Sequence, residues 1–525
     1  MAKRPFQKIL SLLLALTMLT LAASMPVPVS AENAKPGGIF RGDVNGDGKA
    51  NALDYLLLKR AVLGTYNLTE AGRKAADVNG DGKVNAVDYM LLKRHVLGTY
   101  DLYAPKYPAR PEGYPTVCGS FMQPGSFASY DLARMKKHLG YLREVGIDVL
   151  ILQWSFVTAG DKVSEVYYKD SFSASEKGAA YSARGSSLLD TVLQAAEELD
   201  MKVFIGLNNN DEWWGKFVND KQWLTDQIAL GVKGAQQIYD TYKAKYPNAL
   251  YGWYFVFEFY NFLSSGTQVE NAAYLLNGYL DRLTQIDPSM PMMLSPFLSA
   301  SYTTAAQAGE TWEKIFAKTR FRPGDIFCCQ DSVGAGYISL DQLDGYYRAL
   351  KKAVDTKPGL HFWANNEDFT QSDWTSAPLN RFVRQMEIAS NYVEAHVTFA
   401  YSHYQNPDVG KTGNHLAYKT YFETGKIPAC SLPAPELVCT AEDGGTRVTV
   451  KGSFANGDKT AWRVHIKKNG KAFRTIDLSA KYGAETMEFS FSDANLDGNG
   501  TVEYEVYVED YYGNFSPSTT VRGKR

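Results

Sequence analysis

The chain has 525 residues, with 55 lysines and arginines against 57 aspartates and glutamates. That length suggests about three folding units, or one large domain with appendages, and the near-balance of charge argues against a nucleic-acid or acidic partner. The aromatic load is heavy, with 34 tyrosines and nine tryptophans; it offers more flat surface than packing alone tends to need, of the kind on which sugar rings stack.

Residues 1–31 read as a signal peptide. Lys3, Arg4 and Lys8 give a basic start, residues 9–23 an apolar core, and Val29-Ser30-Ala31 ends on a small residue. The core is short for a membrane span, and no other segment suits a bilayer, so the expected location is extracellular. The five cysteines are Cys118, Cys328, Cys329, Cys430 and Cys439. Their odd number in so long a chain argues against a disulfide framework. Cys328 and Cys329 lie in an apolar strand-like run as buried thiols, and Cys430 could bridge to Cys439.

An internal repeat follows. Asp43, Asn45, Asp47, Lys49, Asn51 and Asp54 stand at positions 1, 3, 5, 7, 9 and 12 of one loop; Asp77, Asn79, Asp81, Lys83, Asn85 and Asp88 repeat them 34 residues later. Side-chain oxygens at positions 1, 3, 5, 9 and 12, a backbone carbonyl from the lysine at 7, and a turn-forming glycine at 6 (Gly48, Gly82) are what a hard cation wants. Position 12 is Asp in both loops. The pattern predicts one amphipathic helix after each loop, over 53–63 and 87–97, and leaves no room for a helix before the first loop, so these are not paired sensor hands. At these residues the sequence resembles a type I dockerin, the module that attaches enzymes to cohesins on a cellulosome scaffold. The resemblance covers residues 40–103. It implies two calcium ions and a cohesin module of a scaffoldin as partner, at the cell-surface complex. It also implies cohesin-reading positions at Ala52-Leu53 with Lys59-Arg60, and Ala86-Val87 with Lys93-Arg94. The near-identity of the halves implies two alternative docking orientations. The apolar pairs depart from the hydroxyl pairs of some dockerins and point to another specificity group. The plainer alternative is two structural calcium loops without a partner. A partial copy, Asp493-Ala-Asn-Leu-Asp-Gly498, would put Tyr504 at position 12, where it cannot ligate, and reads as a hairpin turn.

Residues 104–430 alternate apolar strand-like runs with helical stretches. Eight strand candidates stand at 116–122, 149–154, 202–207, 252–258, 292–296, 325–330, 359–365 and 395–401, with helices such as 130–145, 186–199 and 224–246 between them. This predicts a (β/α)8 barrel with its active site at the C-terminal strand ends. Those ends carry Gln123, Gln153-Trp154, Asn208 to Asp211, Glu258 with Asn261, Gln330-Asp331, Asn365 to Asp368 and His403-Tyr404-Gln405. Glu258 stands alone in an aromatic run, where desolvation raises a carboxyl pKa and suits a general acid. Glu367 faces the same mouth, and two carboxyls across a sugar bond are what glycoside hydrolysis needs. Each could instead be a salt-bridged structural residue. Gln123, Gln153, Trp154, Asn208, Trp213, Asn261, Asp331, Asn365, Trp374, His403 and Tyr404 are the candidate substrate contacts. Trp214 and Trp363 also sit near strand ends, Trp363 turned partly into the barrel. His403 and His361 are isolated, so no metal or other cofactor is expected for catalysis.

Here the sequence resembles the TIM-barrel glycoside hydrolases with the acid/base after strand four and the nucleophile after strand seven. More narrowly, Gly119-Ser-Phe-Met-Gln123, Gln153-Trp154, Tyr251-Gly-Trp-Tyr254 with Glu258, Ser295-Pro296, Gln330-Asp331 and Trp363-Ala-Asn365 with Glu367 resemble a bacterial family of secreted glycosyl hydrolases without an assigned activity. The resemblance implies Glu258 as acid/base and Glu367 as nucleophile in a retaining mechanism. One departure is Phe257, where many clan members have an Asn that binds the sugar 2-hydroxyl; Asn261 and Asn366 are the available substitutes.

Residues 432–525 switch to short alternating strands at 447–451, 461–467, 472–477, 486–491 and 502–508, which predicts a β-sandwich. Residues 503–516 resemble the last strands of fibronectin III-like modules. The module is expected to act as a spacer or a buttress rather than a sugar binder. The leading reading is a scaffold-borne glycoside hydrolase acting on plant-type polysaccharide. The alternatives are a non-catalytic carbohydrate-binding barrel, and an inverting hydrolase with Asp331 or Asp211 as base.

Overall fold

The structure, a computed structural model, describes residues 40–80, 82–103, 107–262, 265–442, 447–494 and 501–524. The signal-peptide reading and Asp81 lie outside the described residues. Among the described residues no helix is long and apolar enough to cross a membrane. The chain divides into two compact units, residues 1–106 and 107–525.

In the first unit, α1 (Ala52–Val62) and α3 (Ala86–Val96) are the two expected helices, and the short α2 (Glu70–Ala76) lies between them. Position 9 of each loop, Asn51 or Asn85, is the N-cap, and position 12, Asp54 or Asp88, closes a capping box with it. The loop chemistry and the helix start are thus one device. Leu58 and Leu92 are fully buried between the helices, and Tyr55 stacks on Tyr89 with ring centroids 5.1 Å apart. The α2 helix escapes a reading based on loop spacing because it is only seven residues long.

The second unit begins with the closed barrel. Its strands are β1 (Val117–Met122), β2 (Val149–Leu152), β3 (Lys202–Gly206), β4 (Leu250–Phe255), β5 (Met292–Leu294), β6 (Ile326–Gln330), β7 (His361–Glu367) and β8 (Ala395–Phe399). All neighbouring pairs are parallel and run in sequence order round the ring, with β8 closing on β1. The intervening helices are α4 (Leu132–Arg143), α5 (Leu188–Glu198), α6 (Lys221–Tyr242), α7 (Gly266–Ile286), α8 (Ala305–Lys318), α9 (Leu340–Val354), α10 (Leu379–Ala389) and α11 (Thr412–Thr424). Alternation along each strand separates two cores. Val149, Ile151, Phe204, Tyr254, Ile326, Cys328 and Val397 fill the lumen; Leu150, Val203, Trp253, Phe255, Phe327 and Phe362 face the helices. A small sheet not expected from the sequence, Phe156–Ala159, Lys162–Val166, Lys177–Ser182 and Asn208–Asn209, rises after β2.

Among the described residues the C-terminal module has seven strands, two more than expected. The first sheet holds β9 (Glu436–Glu442), β10 (Arg447–Ala455) and β13 (Thr486–Asp493); the second holds β11 (Ala461–Lys468), β12 (Lys471–Asp477), β14 (Thr501–Asp510) and β15 (Thr519–Lys524). The strands on either side of the Asp493 segment, β13 and β14, belong to different sheets; residues 495–500, where the hairpin-turn reading falls, lie outside the described residues, and Tyr504 donates to Asp493 Oδ2 at 2.7 Å. Cys430 and Cys439 are free thiols, as are the other three. The module packs on the barrel as a buttress. Trp462 and Tyr511 are buried in the barrel's helix-layer core. The Asn380 amide group donates to Gly513 O at 2.8 Å, and Arg463 donates to Ser376 O at 3.3 Å.

Candidate active site and calcium loops

Strand phase decides which polar residues reach the mouth. On β4, Tyr254 and Val256 are lumen residues, and Glu258 follows in the same phase, three residues beyond the last paired residue, Phe255. On β7, Trp363 packs in the lumen, and Asn365 and Glu367 follow in phase. Glu258 is half-buried, and its backbone carbonyl accepts from Trp213 Nε1 at 2.8 Å. Burial lifts its carboxyl from the ordinary 4.5 to about 7, against a smaller downward pull from the Gln330 side chain.

Glu367 is buried. Its Oε2 accepts from Ala335 N at 2.7 Å, an approach that needs Gly334: a Cβ there would lie 2.8 Å from Glu367 Cβ and 2.5 Å from Phe369 O. Burial first, then the neighbouring Asp331 and the charge of Glu258, push Glu367 well above the usual carboxylate range, while the Ala335 amide and the Arg381 cation act the other way. Asp331 follows Gln330 and so is out of phase with the lumen, behind the sheet. It accepts from Asn366 Nδ2 at 2.9 Å, Gln385 Nε2 at 2.6 Å, Val333 N at 3.1 Å and Glu367 N at 3.3 Å. Four N–H donors and no other acceptor fit an anion, although burial raises its pKa too. Asn366 Oδ1 pairs with His396 Nδ1 at 2.8 Å, and His396 Nε2 with Ser390 Oγ at 2.9 Å. A buried polar chain thus fixes the backbone under Glu367.

The calcium loops fit a cation on their own donor set. Carboxylate oxygens of Asp43, Asp47 and Asp54 lie within 4.8 Å of one another. Asp43 accepts from the amides of Gly46, Asp47 and Gly48 at 2.8–3.0 Å, so the loop is wound round its first ligand. Buried Asp88 accepts from Asn79 and Asn85 amides in the second loop, as Asp54 does from Asn45 and Asn51 in the first. With the Lys49 carbonyl and the Asn45 side chain, the first loop offers an oxygen set suited to calcium; the second repeats its residue types, with Asp81 outside the described residues. Asn51 and Asn85 also cap their helices, each side-chain oxygen accepting at 2.8 Å from Leu53 N or Val87 N.

A family model described as a domain of unknown function, DUF4434, matches residues 117–411, more than half of the 525-residue chain. The chain belongs to the DUF4434 family. A second model, the dockerin type I domain, matches residues 41–97. Among solved structures, a candidate alpha-L-fucosidase from Bacteroides thetaiotaomicron is similar, with 20% identity, a TM-score of 0.49, and coverage of 62% of this chain and 98% of that one. An endo-beta-1,4-mannanase from Thermotoga petrophila is 14% identical with a TM-score of 0.38, covering 79% of this chain and 98% of that one. A chitinase from Bacillus thuringiensis is 10% identical with a TM-score of 0.35, covering 78% and 85%. A search of curated proteins finds no match.

The DUF4434 mouth gathers fewer of the expected contacts than the strand ends suggested. Gln153 Oε1 and Asn365 Oδ1 are buried acceptors without a donor among the described residues, in phase with the lumen and suited to sugar hydroxyls. Trp154 packs half-buried in the upper lumen. Exposed Trp374 stacks on Phe369 at 5.5 Å, and Tyr404 lies on the other contact of that ring at 5.5 Å. His403 Nε2 accepts from Gln123 N at 3.1 Å, and burial lowers its pKa to about 4, so it is a neutral tether between β8 and β1. Four residues are turned inward instead. Asn208 is buried against Gln227 and Tyr279, Trp213 is buried beneath Glu258, Asn261 bonds Ser299 and Thr303, and Asp331 lies behind the sheet. Asn366 is likewise locked to Asp331, so neither proposed substitute for the missing Asn reaches the mouth; Asn365 is in phase to do so. Trp363 lines a hollow of about 640 Å3 at the opposite, N-terminal end, away from the carboxyls. Ala335, Arg381, Gln385 and His396 were not anticipated.

Proposed function

We propose that this chain is a secreted retaining glycoside hydrolase, carried by its dockerin on a cohesin-bearing scaffold and acting on plant cell-wall polysaccharide. The observation that carries the reading is the pair of desolvated carboxyls, Glu258 and Glu367, on the lumen side of two strands three places apart in the ring. Glu258 keeps its proton to about pH 7 and gives it to the leaving oxygen. Glu367 attacks the anomeric carbon in its ionised form, which the Ala335 amide and the Arg381 cation favour against burial, and the glycosidic bond breaks as the glycosyl ester forms. Glu258, now a carboxylate, takes a proton from water, which displaces Glu367 and restores both groups. Asp331 holds Glu367 from behind and is too engaged to act as the base of an inverting reaction.

The dockerin side rests on exposed Leu53 and Val87 beside exposed Lys59-Arg60 and Lys93-Arg94, in two equivalent settings. The test is sugar release from arrayed cellulose, xylan, mannan and β-glucan, with NMR of the anomer first formed. Retention of configuration is expected; an inverted first product refutes the nucleophile assignment.

A further inference from the structure

Five aromatic side chains of the barrel are exposed among the described residues, and four of them, Trp214, Tyr302, Tyr337 and Trp374, stand on loops at the C-terminal strand ends. Three of the four belong to one group. Trp214 contacts Phe297 with centroids 6.2 Å apart, Phe297 contacts Tyr337 at 6.1 Å and Tyr260 at 5.9 Å, and Tyr260 contacts Tyr302 at 5.1 Å. These rings come from the loops after β3, β4, β5 and β6. They are held rigidly: Phe297 N donates to Phe259 O at 2.9 Å, Ala300 N to Tyr337 O at 3.1 Å, and Ser299 N to Asn261 Oδ1 at 2.6 Å. The side chains turned inward, Asn261 and Trp213, are thus the supports of this ridge. Trp374, after β7, is the fourth, and β7 is diametrically opposite β3 in the eight-strand ring.

We propose that Trp214, Phe297 and Tyr337, with Tyr260 and Tyr302 beside them, bind an extended saccharide chain that crosses the mouth to Trp374, so that the carboxyls meet bonds inside the chain and not at its end. The binding claim stands on the ridge itself; internal cleavage also rests on the hydrolase reading. A saccharide is favoured over a protein partner by the makeup of the rim. Its large exposed apolar side chains are rings, and the one large exposed aliphatic side chain among the described barrel residues, Leu416, lies away on α11. Flat rings on prearranged loops suit the faces of successive sugars.

The test uses the full chain in a Glu258→Gln background, so that no substrate is cut, run through native gels containing soluble β-mannan, xylan, mixed-linkage β-glucan or hydroxyethylcellulose. At least one polymer should retard the parent, and Trp214→Ala and Tyr337→Ala should each weaken that retardation at least fivefold with unchanged melting temperature. Retardation by no polymer, or parent-like retardation of both variants, overturns the ridge. Hydrolysis by the wild-type chain is scored separately. Retardation lost in the variants while the wild type cuts nothing leaves the ridge standing and removes the hydrolase reading. Release of monosaccharides alone from a bound polymer overturns internal cleavage, whereas a ladder of oligosaccharides supports it.

Discussion

Replacing Gly334 with alanine perturbs Glu367 without touching its chemistry. The added Cβ would sit 2.5 Å from Phe369 O and 3.0 Å from Glu367 Oε2. The loop must retreat by about half an ångström to relieve such a contact. The Ala335 N–H bond to Glu367, 2.7 Å now, would then stretch to about 3.2 Å, the edge of the useful range. Overpacking of this kind costs about 1–3 kcal/mol, which lowers the melting temperature by roughly 2–6 °C in a domain of this size. Loss of a hydrogen bond to a charged group, worth about 1.5–3 kcal/mol when complete, raises the Glu367 pKa further. Attack requires the ionised form, so the acid limb of the kcat/KM profile should move to higher pH. The assay is a pH–rate profile beside a thermal melt. An acid limb that stays in place despite a lowered melting temperature refutes the link between the β6–α9 loop and Glu367.

Glu258→Gln should abolish activity yet stabilise the fold above neutrality. The folded pKa of about 7 exceeds the ordinary 4.5, so the wild type is penalised as pH rises between those values. The variant's advantage should be absent below pH 4.5 and grow to on the order of 3 kcal/mol above pH 7, read as a widening melting-temperature difference between pH 4 and pH 8; a constant difference contradicts the burial argument. Tyr511→Ala removes a ring buried in the barrel's own core and should cost about 3–5 kcal/mol. Calorimetry should show barrel and sandwich unfolding in one transition shifted downward, and a separate sandwich melt with an unmoved barrel would contradict the buttress. Calcium chelation should abolish capture by a cohesin and expose residues 40–103 to protease, with hydrolysis of soluble substrate unchanged; undiminished capture in chelator contradicts the calcium reading.

The eight strands and the repeated dockerin loops were legible because each repeats a simple period: apolar runs between amphipathic helices, and oxygens at fixed loop positions. The site was legible where strand phase carries through to the last residue, as it does for Glu367 and Asn365. It failed one residue out of phase. Asp331 and Asn366 read as mouth residues by proximity to Gln330 and Asn365, but alternation turns them behind the sheet. Asn208 and Asn261 failed for a related reason: past the end of pairing the chain leaves the barrel direction, and a polar side chain there serves loop architecture. Ala335 left no signal at all, since it acts through its backbone amide, and Gln385 on α10 looks like an ordinary helix residue until its partners are known. Gly334 was the one available hint, a glycine beside Asp331 where two loops approach closely. The ridge was missed because its rings come from four loops spread over 124 residues, from Trp214 to Tyr337, that only the closed ring brings together.

The central claim is that Glu258 and Glu367 perform the chemistry. It is tested most directly by measuring kcat for Glu258→Gln and Glu367→Gln on whichever arrayed polysaccharide the wild-type chain degrades, with Asp331→Asn for comparison. Both glutamate variants should fall by roughly 100-fold or more while keeping their melting temperatures. Asp331→Asn should retain measurable activity with an acid limb shifted to lower pH, since a negative neighbour of Glu367 has gone. Wild-type rates in either glutamate variant would contradict the account.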